Sequence, residues 1–426
     1  MSLALRPGAL VRRAASSAWH RHAQVARMAY TPSAAGPALR RDARGIHRVR
    51  KIRRVSASSA DVAAAAPPVT LPYVDTHCHL DLIFEKMNAR TVSAKKKDKS
   101  GMPPPGEVHH ESWLRAVRDL ESDLVLTSGG DRISAETVSP RMEACLTVAC
   151  SAKAQARVRA LLIERDDPPE GVFAAFGCHP LSASDWFASA PGDVSVAAAT
   201  RDLVANHPRV VAVGECGLDY YVQPAGHVID GSGEKDSAVS SRTNAAAARR
   251  DGEETEDSKS ESDSDSEREE RARREMQARA FVDQMALAKE LGAPIVVHTR
   301  CAEEDTLRLM REHLPRDHRI HVHCFTSSAW LARELLATFP NLCLGFTGVV
   351  TFKNAPEVRE VVAATPLNRI LLETDGPYMA PAPRRGEVAH PGHVPLIAVK
   401  IAEIKGVSAA EVFVAAREAT RRVYGI

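Results

Sequence analysis

Short β-branched or apolar runs alternate with longer helical patterns from residue 73 to the end of the chain, and this alternation constrains the fold more than any other feature. Eight runs qualify as strands: Tyr73–His77, Asp123–Thr127, Phe173–Gly177, Val210–Glu215, Pro294–His298, Arg319–His323, Leu342–Phe346 and Arg369–Thr374. The stretches between them read as helices. In Glu275–Leu291, Met276, Ala280, Leu287 and Leu291 recur at helical spacing, and the last helix opens with Ser408 and Glu411 in a capping-box arrangement. Eight is the count at which a parallel sheet closes on itself, so the pattern predicts an α/β fold of the (β/α)8 TIM type rather than a doubly wound sheet.

The chain has 426 residues, more than the about 250 of such a barrel. Three segments account for most of the surplus. Residues 1–60 carry 13 Lys+Arg and one acid, Asp42, and are rich in Ala and Ser, the composition of an organellar transit peptide. Residues 1–68 are therefore expected to be a disordered basic tail, with a mitochondrial address and with cytoplasm or nucleus as the alternative. Residues 91–106 are rich in Lys and Pro, and residues 223–268 are rich in Gly, Ser and Ala before turning acidic; both are expected to be disordered inserts. Residues 71–426 then form the barrel. No apolar run approaches the roughly 18 residues of a spanning helix, which excludes a transmembrane helix.

The net charge of +2 conceals a split, because everything after residue 60 holds 43 bases against 53 acids. Residues 251–275 alone carry 12 acids and 5 bases. That insert, with its Ser-acid steps over Ser258–Glu267, is a candidate phosphorylated screen and a candidate contact for a protein partner. The eight cysteines show no C-x-x-C pair and read as reduced thiols.

Ligand-type residues gather at the carboxyl ends of the strands. The first strand ends in Asp75-Thr76-His77-Cys78-His79, where alternation puts Asp75, His77 and His79 on one face. Glu215 closes the fourth strand, His298 the fifth and His323 the sixth, and Asp375 follows the eighth. A barrel collects its active site at that end. Four imidazoles and two carboxylates buried together without a cation would leave charge stranded in a low dielectric. Six N/O ligands without a thiolate favour two divalent cations, with Zn, Mn and Mg all open. The cysteines beside them (Cys78, Cys178, Cys216, Cys324) alternate off the ligand face and read as packing residues. Asp375, a ligand that can also accept a proton, is the candidate general base. His179 and Arg300 are candidates for holding phosphate, Glu373 for orienting Asp375, and Tyr220, Tyr221 and Tyr378 for stacking on a base.

The stretches VDTHCHLD, FGCHP, GECGLDY, VVHTR, HCF and ETDGPYMAP resemble, in order, the motifs of the TatD family of metal-dependent hydrolases, with phrasing similar to a eukaryotic branch. The resemblance covers about residues 71–426 outside the inserts. It implies a metal-dependent deoxyribonuclease, an exonuclease on 3′ ends or single strands, with DNA, or RNA, as substrate. It also implies that His77, His79, Glu215, His298, His323 and Asp375 bind the metals, that Glu215 bridges two ions and that Glu215 and Asp375 are catalytic. The alternatives are a small-molecule esterase or amidohydrolase using the same cage, and a scaffold protein that binds a complex.

Overall fold

The structure, a computed structural model, describes residues 69–95, 126–127, 137–166, 168–188, 195–221 and 265–426. Residues 1–68, most of the 91–106 insert and residues 222–264 of the second insert lie outside the described residues. Eight parallel strands follow one another around the sheet: β1 (Val69–Cys78), β3 (Thr137–Ala149), β4 (Val172–Phe176), β5 (Val210–Asp219), β6 (Ile295–Arg300), β7 (Ile320–Val322), β8 (Leu342–Phe346) and β9 (Ile370–Leu372). A two-residue strand, β2 (Leu126–Thr127), pairs antiparallel to the start of β3.

Helices return the chain between strands: α1 (Leu80–Lys95), α2 (Ala152–Leu162), α3 (Ala183–Phe187), α4 (Val196–Asn206), α5 (Asp265–Leu291), α6 (Glu303–His313), α7 (Ala329–Thr338) and α8 (Pro356–Ala364), with α9 (Val394–Lys405) and α10 (Ala409–Tyr424) completing the chain. Local chemistry sets their starts. Ser151, Ser195 and Ser328 accept the backbone N–H groups of Ala154, Ala198 and Leu331. Ser408 and Glu411 form the capping box that the sequence predicts, with Ser408 N donating to Glu411 Oε2 at 2.8 Å. Among the described residues, no helix is long and apolar enough to cross a membrane.

β1 and β9 close the ring at the carboxyl end. Cys78 bridges Gly376, and Asp375 N donates to His77 O at 2.8 Å. The Asp75 carboxylate completes the seam: Oδ1 accepts from Thr374 N at 3.0 Å and Oδ2 from the Thr374 hydroxyl at 2.5 Å. Every residue of β5 and β8 is buried, as in a sheet covered on both faces.

The second barrel strand is not Asp123–Thr127. Of that run Leu126–Thr127 forms β2, antiparallel to β3 and off the parallel barrel, and Asp123–Val125 lies outside the described residues. β3 takes the place instead. It escapes sequence reading because Pro140 has no N–H and Arg141 and Glu143 interrupt its apolar character. Both charged residues are exposed, and Glu143 is held by Arg417 of α10 through bonds of 2.6 and 2.8 Å. Residues 91–95 of the first insert belong to α1, and residues 265–268 of the second belong to α5.

Candidate metal centre at the barrel mouth

All six candidate ligands converge at the carboxyl ends of the strands, and Glu215 stands between two sets of imidazoles. Its Oε2 lies 3.5 Å from His77 Nε2 and 4.0 Å from His79 Nε2. Its Oε1 lies 2.7 Å from His323 Nε2 and 2.9 Å from His298 Nδ1. Asp375 Oδ1 completes the first set, 3.6 Å from His77 and 3.4 Å from His79. The rings of His77 and His323 stack at 4.0 Å. Of this cluster, His77 is wholly buried and Glu215 and His323 nearly so.

The hydrogen bonds prepare the nitrogens for a cation. His79 Nδ1 donates to Val148 O at 3.2 Å, which turns Nε2 towards the carboxylates. Among the described residues, both nitrogens of His77 and Nδ1 of His323 are buried without a hydrogen-bond partner. Orphaned imidazole nitrogens among carboxylate oxygens are the donor set of a divalent metal with N/O ligands, and the residues fit one. The charges agree. Burial would raise Glu215, but His323 and His179 hold its carboxyl well below the usual range. Burial pulls His79 and His298 down, yet Asp375 in one case and Asp219 and Glu215 in the other outweigh it and push each up to about 9. Burial and the neighbouring His323 lower His77 to about 3.

His179 reaches the same cluster, with Nε2 3.5 Å from Glu215 Oε1. Its Nδ1 accepts the Leu181 N–H at 3.1 Å, so the proton of the neutral ring sits on Nε2 and points inward. Burial lowers its pKa to about 4, which keeps the ring a neutral donor at pH 7. Arg300 stands at the rim instead, stacked 3.9 Å above the Tyr221 ring. Glu373 lies beneath the ligands. It accepts the Cys324 N–H and pairs with His321 Nε2 at 2.8 Å, while His321 Nδ1 meets the Tyr424 hydroxyl at 2.6 Å. The cysteines stay out: Cys78 donates to Leu146 O and Cys216 to Val296 O, and among the described residues no candidate metal cluster includes a thiol.

Two residues escape sequence reading. Asp219 Oδ2 lies 3.4 Å from His298 Nε2, and the two form a further ligand-type group with His179. Its signal is the strand period, since Glu215, Gly217 and Asp219 share one face. Gly217 permits the arrangement, because a Cβ there would strike the His298 carbonyl oxygen. His321 carries the same signal, two positions before His323. Cys324 and Asp375 hold positive φ values of 45° and 50° at the strand ends, where backbone strain gathers in catalytic sites.

A TIM-type barrel whose mouth holds four imidazoles around shared carboxylates belongs to the class of metal-dependent hydrolases. The family profile described as TatD related DNase matches residues 74–231 and 261–425. The chain belongs to that family and is a metal-dependent hydrolase acting on ester bonds. It is 28% identical over 375 residues to the human 3'-5' RNA nuclease TATDN2, covering 87% of this chain but only 37% of that protein. It is 31% identical over 283 residues to the uncharacterized metal-dependent hydrolase YcfH of Escherichia coli K12, covering 66% of this chain and 83% of the relative. Among solved structures, the TatD homolog YJJV from Escherichia coli superposes with a TM-score of 0.53 at 21% identity, covering 83% of this chain and 98% of the other, a likeness of fold.

Proposed function

We propose that this chain hydrolyses phosphodiester bonds of nucleic acid from the 3′ end, with DNA as the substrate that the sequence motifs imply. The observation that carries the reading is Glu215, whose two oxygens face two different sets of imidazoles. One cation would sit among His77, His79, Asp375 and Glu215 Oε2, and a second among His298, His323 and Glu215 Oε1. The imidazoles favour zinc or manganese, and phosphate chemistry favours magnesium. Such cations supply Lewis acidity that acidifies a water and offsets charge on the phosphate.

The chain's own groups do the rest. Asp375 Oδ1 is engaged by His79 and His77, and its Oδ2 takes the proton of the attacking water. His179 donates from Nε2 to a phosphate oxygen, and Asp219 keeps His298 turned towards Glu215. The composition of residues 1–60 supports mitochondria as the compartment, which the native N-terminus and fractionation of the cell would test.

The test is cleavage of 5′-labelled single-stranded and duplex DNA and RNA by the full chain. Stepwise shortening from the 3′ end that EDTA stops and added cation restores is the expected result. Phosphodiester strands left intact under every cation, with a small ester hydrolysed instead, would refute it. The human relative, an RNA nuclease by name, makes RNA a necessary arm of that assay.

A further inference from the structure

The four imidazoles of the mouth are not held alike. His79 Nδ1 donates to Val148 O, and His298 Nε2 faces Asp219 Oδ2 at 3.4 Å. Among the described residues, His77 and His323 have no such support behind the ring. His77 lies inside β1, but His323 stands just past the end of β7, where the strand ladder stops. A ligand that is not gripped through its second ring nitrogen depends on its backbone for its aim.

Three bonds hold the backbone there. His323 N donates to Val297 O of β6 at 3.0 Å, and Phe325 N donates to Gly345 O of β8 at 2.9 Å. Between them, at a φ of 45°, Cys324 gives its N–H to a side chain, Glu373 Oε1. Glu373 is fixed in turn. Its Oε2 lies 2.8 Å from His321 Nε2, and among the described residues neither atom has another hydrogen-bond partner, so one proton between them satisfies both. His321 Nδ1 meets the Tyr424 hydroxyl at 2.6 Å. Tyr424 ends α10, a helix tied down by Arg417 on Glu143 and by Arg319, whose Nη1 donates to Val423 O at 3.1 Å. His321, Glu373 and Tyr424 are all buried, and Gly345 leaves them room, since a Cβ there would strike both His321 and Glu373.

We propose that Tyr424, His321 and Glu373 form a positioning chain that aims His323 at the cation it shares with His298, so that the last helix of the fold sets the affinity of one half of the metal centre. The inference rests on the two-cation reading of the mouth and goes beyond it, because none of the three residues belongs to a candidate ligand group. Stability alone does not call for the chain, since apolar side chains of the same volume would serve a barrel core as well or better. What the polar links add is direction, each one fixing the next. The Cys324 N–H belongs to the peptide that joins it to His323, so the bond to Glu373 sets how the His323 ring enters the mouth.

The experiment is titration of the full chain with Co²⁺, followed by the visible absorption bands of the bound ion and by elemental analysis. The parent chain should take up two ions. Tyr424→Phe, which removes one hydroxyl, should weaken one of them about 10- to 100-fold and leave the other within about twofold. The weakened ion should be the one whose bands His298→Ala abolishes. Glu373→Gln, whose amide can still accept the Cys324 N–H and reach His321, should keep both affinities within about threefold, whereas Glu373→Leu should lose the same ion that Tyr424→Phe weakens. Phe339→Leu, a core change at the amino end of the barrel, should lower the melting temperature and leave both affinities as they are. A Tyr424→Phe chain that binds both ions as the parent does would overturn the proposal. Equal weakening of both ions, the mark of a core merely loosened, would overturn it too. A parent chain that takes up a single ion would sink the two-cation reading, and the positioning chain with it.

Discussion

Among the described residues two groups of histidines lie in the interior, and they differ in their company. At the mouth, His77, His79, His298 and His323 interleave with Glu215, Asp219 and Asp375. In the turn before α9, His390 and His393 lie with ring centroids 4.3 Å apart, and among the described residues neither forms an ion pair with a carboxylate. Burial, helped by Arg384, pushes His390 down to about 4; burial, His390 and Arg384 push His393 down to about 3. Burial pulls His79 and His298 down as well, but the carboxylates hold those two at about 9. Burying imidazoles is thus common to both places, and only shared carboxylates make one of them a place for a cation.

The largest expected effect at the mouth is that of Asp375→Asn. Losing the proton acceptor should lower the cleavage rate at least about a thousandfold, while elemental analysis still finds metal on the remaining ligands. A metal-replete Asn variant with full activity would end the role assigned to Asp375. Next comes Asp219→Asn, which leaves the ligands in place but loosens His298. Metal affinity, measured by competition with a chelating dye, should fall about 10- to 100-fold. Beneath the ligands, Gly345→Ala would drive a Cβ into His321 and Glu373 and should cost about 1–3 kcal/mol in chemical denaturation.

The smallest effect belongs to the turn. His393 has its folded pKa depressed below the unfolded value of about 6.5, so its unfolded form binds a proton more readily. The stability it allows is complete above pH 6.5 and is lost as the pH falls below it. Between pH 7.5 and 5.5 the loss should be on the order of 1 kcal/mol, and His393→Phe should remove that share of the slope without changing metal content.

Much of this was readable from residues alone. Seven of the barrel strands announce themselves as apolar runs, and the candidate ligands stand out because an ionisable group at the end of such a run has few other reasons to be there. β3 was hidden because its first half pairs at the base of the barrel, where Pro140, Arg141 and Glu143 are tolerated. Asp219 was hidden because Gly217 breaks the pattern between it and Glu215, although the strand's alternation carries it to the same face. Tyr220 and Tyr221 are adjacent and alike in sequence; only three-dimensional neighbours separate the residue held by Asp305 from the one left at the rim. The division of Glu215 between two imidazole sets depends on side-chain placement that no spacing encodes.

The measurement that bears most directly on the central claim is an anomalous-scattering crystal structure of the chain grown with zinc or manganese. Two peaks should appear at the mouth, one among His77, His79 and Asp375 and the other beside His298 and His323, with one Glu215 oxygen directed at each. Metal bound away from Glu215, or at His390 and His393 with the mouth empty, would contradict the account.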